Sequence, residues 1–356
     1  MRQADAPKSA IMQLLDSTVL RECHEASSQK RVELDALLSA EIPKYTTEDT
    51  SLVVFGSLAR GEWTSKSDLD WTFLIDGEAN SDHLKISQTI QKILKENHYE
   101  EPGPTGTFGN MAFSHDVIHQ IGGQNDTNRN TTQRVLLLLE SCPIGRTEAH
   151  DRVIRAVINR YLEEDVHPLT PDSKRHRVPR FLLNDIVRFW RTMAVDFASK
   201  QRDRAGAGWG LRNAKLRMSR KLIFASGLLV CFGVNLDGEL NDDISNDKDG
   251  IRLKLTNHIR ECVRQTPLQV LAKAMEQYEA PEAIASELFT AYAEFLKLLS
   301  DEKSRDALKA LRASDSRTDP TFQRVREISS AFEHALDHIF FENSKVAPLT
   351  RKYGVF

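Results

Sequence analysis

Two aspartates one residue apart, Asp68 and Asp70, stand where an apolar run resumes in "VVFGSLARGEWTSKSDLDWTFLID", residues 53–76. On a strand, side chains i and i+2 share a face, so these carboxylates are neighbours. Like charges this close repel and stay ionised together only with compensation. Magnesium supplies it, as a hard cation that takes carboxylate oxygens and shares its other positions with water and substrate phosphates. Upstream, Gly56 and Ser57 end one apolar run and open a helical stretch, "SLARGE". Glycine permits close backbone approach, and the free N–H groups of a helix start cradle phosphate, with the serine hydroxyl as a further donor. A Gly-Ser turn or a D-x-D alone is common in proteins. Together, at this separation, they point to a polyphosphate held at one end and metal held at its reactive phosphorus.

The pattern resembles the signature of the DNA polymerase β nucleotidyltransferase superfamily, G-S-x(3)-G-E followed by S-D-x-D. Gly56, Ser57, Gly61, Glu62, Ser67, Asp68 and Asp70 all match it. The resemblance implies a nucleoside triphosphate substrate (NTP or dNTP) and two Mg2+ ions, with Mn2+ able to substitute. It also implies template-independent transfer of a nucleoside monophosphate to a hydroxyl acceptor, with release of pyrophosphate. Such proteins use a third carboxylate on a neighbouring strand, and Asp116 in "FSHDVIHQIG" is the residue expected there, flanked by Phe113, Val117, Ile118 and Ile121. Asp126, in "GGQNDTNRN", reads as loop. His115 and His119 have no cysteine or further histidine nearby and read as surface or hydrogen-bonded histidines rather than a metal pair.

The stretches "RVLLLLES", "RFLLNDIVRFWRT" and "WGLRNAKLRMSRKLIFASGLL" resemble the helical region of bacterial nucleotidyltransferase-domain proteins related to the uridylyltransferase of the PII signalling protein. The likeness spans about residues 50–230. It implies that Lys215 and Ser219, with Arg212 stacked beside them, hold the outer phosphates. Asn184, Arg188 and Arg191 share a helix side, with Asp185 in reach of Arg188, and structural ion pairing explains them about as well as substrate binding does. Three functions stay open. One is synthesis of an oligonucleotide or nucleotide signal, as in bacterial anti-phage defence, with a single-stranded product. Another is nucleotidylylation of a protein acceptor, and the last is a catalytically dead nucleotide sensor answering an effector. Tyr353, in "APLTRKYGVF", is a candidate priming hydroxyl if the chain end reaches the site.

The elements that position these residues read as follows. Residues 8–40 carry helical spacing, and "LVVFG" and "WTFLID" read as paired strands rich in β-branched and aromatic residues. Residues 82–97 resume a helix, "NMAFSHDVIHQI" reads as another strand, and from Thr131 onward the pattern is almost wholly helical. The expected fold is α+β. A nucleotidyltransferase domain with its N-terminal helix occupies 1–165, a helical, basic substrate-binding domain 166–345 and a tail 346–356. "SNDKDG" at 245–250 reads as an exposed acidic loop, since Ser245 and Thr256 lack the carboxylates a calcium loop needs.

Composition bounds the rest. The 356 residues suffice for two domains, and a net charge of -3 does not select a partner class. Between Lys174 and Lys221, however, fourteen Lys or Arg face three acids, a local excess that attracts phosphates unless acidic surfaces balance it. Cys23, Cys142, Cys231 and Cys262 lie far apart without a CxxC pair, so neither a zinc ribbon nor a disulfide framework is indicated. The start lacks a signal core, and the run "LIFASGLLVCFGV" at 222–234 is short for a bilayer. These readings favour a cytoplasmic protein without a membrane partner.

Overall fold

The computed structural model describes residues 9–64, 66–102, 107–170, 174–203, 208–241 and 247–354. Its chain forms two compact units that interleave in sequence. One unit comprises residues 23–192 and 234–266, and the other 1–22, 193–233 and 267–356. The division expected at 165/166 therefore does not separate them, because helical residues on both sides of that position pack into the first unit.

The first unit is built on four strands, β1 (Thr50–Phe55), β2 (Trp71–Ile75), β3 (Asn110–Phe113) and β4 (Ser141–Ile144), in the order β3-β2-β1-β4. β1 pairs antiparallel with β2 and β4, and β2 pairs parallel with β3. Helices α1 (Thr18–Glu41), α2 (Gly56–Arg60), α3 (Ser81–Glu96), α4 (Ser114–Ile118), α5 (Asn128–Leu139), α6 (Glu148–Leu162) and α7 (Arg180–Asp203) accompany the sheet. Period-2 alternation divides its faces. Leu52 and Val54 of β1, Trp71, Phe73 and Ile75 of β2, and Ile144 of β4 pack with Leu34 and Leu38 of α1 and Ile90, Ile93 and Leu94 of α3. The intervening Thr72 and Leu74 are buried on the other face, where α6 packs against β1 and β2.

The expected helix over 82–97 is α3, started by Asn80, whose side chain accepts from Asp82 N–H. The expected strand through residue 121 ends at Phe113, and Ser114 begins α4. β4 breaks the run expected to be wholly helical. It is a four-residue edge strand containing Pro143, a place where a missing N–H costs no ladder bond.

The second unit is helical. Glu282–Ser300 packs along Pro320–Asp337, with Tyr292 5.6 Å from Phe295 and 5.7 Å from Phe332 between ring centroids. Trp209 stacks on Phe322 at 4.9 Å. Trp209–Leu236 forms one 28-residue helix, long and apolar enough by length and composition to cross a membrane, and 67% of its apolar window is buried inside the protein. It exceeds the run read from sequence because it continues N-terminally through a π-helical turn at Leu216–Arg220. Within the expected tail, Thr350–Gly354 is helical and Arg351 Nη2 donates to Phe341 O at 3.1 Å.

Candidate active site

Strand β1 ends at Phe55, and the chain turns at once into α2 through Gly56, whose φ is +67°. An L side chain is strained in that left-handed region. A Cβ built on Gly56 would also lie 3.3 Å from Asp70 Oδ2. The bend and the carboxylate are thus in direct juxtaposition, and only glycine leaves the backbone open there. Ser57 follows, half-buried, and its carbonyl accepts from Glu62 N–H at 2.8 Å. Arg31 Nη1 donates to Leu58 O at 3.1 Å, tying α2 to α1.

Asp68 and Asp70 are not inside a strand, as expected, but in the extended segment leading into it, since β2 begins at Trp71. Only the Asp70 carbonyl extends the ladder, accepting from Phe55 N–H at 2.9 Å. The alternation nevertheless runs back through the segment. Leu69 joins Trp71 and Phe73 in the α1/α3 core, so Asp68 and Asp70, both half-buried, take the opposite side. Upstream, Thr64 and Ser67 close a turn, with Ser67 N–H donating to Thr64 O at 2.9 Å and Thr64 N–H to Ser67 Oγ at 3.1 Å. Leu69 N–H donates to Glu100 O at 3.4 Å.

Two further matching residues, Gly61 and Glu62, lie just beyond α2. Gly61 ends α2 at φ +76°, and a Cβ there would meet His24 Nδ1 at 2.8 Å. Glu62, 3% exposed, lies in a buried group in which Arg60 holds Glu62 Oε2 at 2.7 Å and also pairs with Glu140.

Asp116 does not join the acidic pair. It lies on α4, exposed, three residues beyond the end of β3. Because β3 runs parallel to β2 with Phe113 beside Ile75, that end is five residues along from Asp70, roughly 16 Å at about 3.3 Å per residue. His115 on that short helix and His119 at its C-cap have ring centroids 5.1 Å apart. Among the described residues, no three His, Cys, Asp or Glu side chains converge as a metal cluster. Asp68 and Asp70 are the carboxylates that suit a divalent cation, beside a bend a Cβ would fill.

Arg212, Lys215 and Ser219 lie in the second unit. Ser219 is 5% exposed, and its hydroxyl donates to Lys215 O at 3.2 Å within the π-helical turn. Tyr353 is half-buried in the terminal helical turn, under Lys352 Nζ at 5.0 Å from its ring centre. The basic segment is partly consumed by structure, with Arg180 pairing with Asp165 at 3.0 Å, Arg188 with Asp126 at 3.3 Å and Lys221 with Glu333 at 2.7 Å. Residues 245 and 246 of the acidic loop lie outside the described residues, and Asp247 caps the helix Lys248–Val263.

Sequence reasoning missed Arg134. Fully buried, it donates through Nε to Tyr161 Oη at 2.6 Å, through Nη2 to Asp185 Oδ2 at 2.5 Å and through Nη1 to Asp126 Oδ1 at 3.2 Å. Tyr161 Oη donates in turn to Asp185 at 2.6 Å, and burial pushes its phenol well above the ordinary range. Asp185 therefore serves Arg134 rather than Arg188, which turns to Asp126. No periodicity marks an arginine inside "TQRVLLLLES" as the centre of a polar cluster.

Residues 37–101 match the family model of the nucleotidyltransferase domain. That span runs from the end of α1 through β1, the Gly-Ser bend, the acidic pair and α3, and stops ahead of β3. No curated protein matches the chain. The matched span lies within the first unit, in an α+β fold whose remainder is helical.

Proposed function

We propose that the chain is a template-independent nucleotidyltransferase that moves a nucleoside monophosphate from an NTP or dNTP to a hydroxyl, with Gly56, Ser57, Asp68 and Asp70 as its working centre. The observation that carries this reading is the 3.3 Å approach of the Gly56 Cβ position to Asp70 Oδ2, which sets the backbone bend against one carboxylate of the pair. Asp68 and Asp70 would hold magnesium. The metal, when bound, neutralises charge gathering on the phosphates and activates the attacking oxygen. Backbone N–H groups of the bend and the Ser57 hydroxyl bind phosphate oxygens and hold the α-phosphorus in line. The acceptor oxygen bonds to that phosphorus as its bond to the pyrophosphate oxygen breaks. The hydroxyl proton passes to water.

For the acceptor we favour a nucleotide or oligonucleotide end, giving a short single strand or a nucleotide signal of the kind used in anti-phage defence. The excess of Lys and Arg between 174 and 221 supports it, because a growing strand needs phosphate contacts. Incubation of the purified chain with Mg2+ and labelled ribo- and deoxyribonucleoside triphosphates tests this reading. Ladders or small cyclic products are expected. A single labelled protein band would transfer the activity to protein nucleotidylylation, and no pyrophosphate release with any nucleotide would contradict the enzyme reading altogether.

A further inference from the structure

Two aromatic rings meet at the end of β1 that is bonded to Asp70. Phe55 closes β1 directly across from Asp70, through the bond from its N–H to the Asp70 carbonyl. On the other side, the parallel ladder pairs Thr72 with Asn110, and Gly109 N–H donates to Trp71 O at 2.7 Å. Phe108 immediately precedes Gly109 at the start of that pairing. The rings of Phe55 and Phe108 meet at 4.8 Å between centroids, tilted by 38°. Phe55 is buried and Phe108 only half-buried. One ring therefore backs the other, and the outer ring keeps exposed area against the residue that pairs with Asp70.

The segment bearing Phe108 is fixed on both sides. Gln133 Nε2 donates to Thr107 O at 2.7 Å. Gly109 sits at φ +80°, with Pro102 Cγ 3.2 Å from where its Cβ would be. A ring held this way loses little freedom when a ligand arrives, which favours binding. Packing alone accounts for Phe55. It does not call for a second aromatic left partly exposed at the edge of a charged site, where water would otherwise reach it.

We propose that Phe108 is the stacking surface for the base of the bound nucleotide, with its triphosphate on the Gly56–Ser57 bend. This rests on the reading of the bend as a phosphate cradle. Every base presents a π face, so such a ring raises affinity for all bases alike, by about tenfold to a hundredfold, without reading hydrogen-bond edges. The ligand class is a nucleoside triphosphate of any base, and selection among bases falls to other residues.

Calorimetric titration with ATP and with inorganic tripolyphosphate, each with Mg2+, tests this in the wild type, Phe108→Leu and Phe108→Trp. The leucine keeps apolar volume without a π face, and the tryptophan enlarges it. We expect Phe108→Leu to weaken ATP about tenfold and leave tripolyphosphate unchanged, and Phe108→Trp to keep or raise the preference for ATP. An ATP-to-tripolyphosphate ratio equal in all three proteins overturns the assignment while leaving the cradle standing. A wild type that binds neither ligand contradicts the cradle itself, and this inference with it. If the leucine variant does not fold, a tryptophan variant with a weakened ratio overturns the assignment on its own.

Discussion

Gly56 and Asp70 approach so closely that a methyl group on the glycine would stand 3.3 Å from the carboxylate oxygen Oδ2. Two demands meet at this position. The backbone is left-handed at φ +67°, and the space beside it belongs to the acidic group. Gly56→Ala should lower stability by about 1–2 kcal/mol from the backbone alone. It should lower pyrophosphate release by a larger factor than that loss accounts for, because the new methyl displaces Asp70 or closes the bend. Urea midpoints and initial rates measured on the same preparation separate the two effects. Wild-type rates in a folded alanine variant would show that the bend is merely a turn.

Glu62 matches the same short signature, yet its chemistry is different. It is buried against Arg60, which also serves Glu140. Glu62→Ala should destabilise by roughly 1–3 kcal/mol through a weakened buried charge group, while divalent-ion affinity in the folded variant stays at the wild-type level. A selective loss of metal binding with unchanged stability would place Glu62 in the centre instead.

Arg134 ties α5 to α6 and α7 through Tyr161 and Asp185, and to the loop at Asp126. Removing its charge in Arg134→Met leaves Asp185 buried beside a phenol held neutral by burial, and a cost of about 3–5 kcal/mol is expected. Adding Asp185→Asn should return part of that loss, since the stranded charge disappears with it. Denaturant melts of the single and double variants check this, and purely additive losses would rule out the coupling.

His150 sets a pH dependence of its own. It is 7% exposed, with Nε2 2.8 Å from Ser141 Oγ. Burial, opposed by Asp151 and helped by Arg264, lowers its pKa to about 4. Above about pH 6.5 both folded and unfolded chains hold a neutral imidazole, and His150 contributes no slope. Between 6.5 and 4 only the unfolded chain takes the proton, so stability falls as pH falls, and the loss levels off below 4 at roughly 3 kcal/mol. Between pH 7.5 and 4.5 the wild type should therefore lose roughly 2–3 kcal/mol more than His150→Gln. Equal losses in urea melts would contradict the burial argument.

The part of the site that was legible in the sequence is the part governed by local rules. The Gly56–Ser57 bend and the D-x-D spacing are short-range patterns, and α3 announces itself through Ile90, Ile93 and Leu94 at helical spacing. Asp116 was misplaced because its apolar neighbours Val117 and Ile118 suit a strand or a helix equally over so few residues, and tertiary packing decided for α4. β4 was invisible for the same reason, since "SCPI" is too short to show a period. Arg134 lies in a leucine run whose pattern promises only apolar burial, and its partners Asp126, Tyr161 and Asp185 are brought together by the fold. Phe108 could not be singled out at all, because its contact with Phe55 depends on sheet pairing that no local feature encodes. The interleaving of the two units is likewise a property of long-range contacts.

The decisive comparison is pyrophosphate release by the wild type and by Asp68→Asn/Asp70→Asn, with Mg2+ and a panel of nucleoside triphosphates. The substitutions remove two charges and almost no volume, so the variant should fold and melt like the wild type. Its release should fall to background while the wild type turns over. Undiminished release by the folded double variant would show that these carboxylates do not hold the reactive centre.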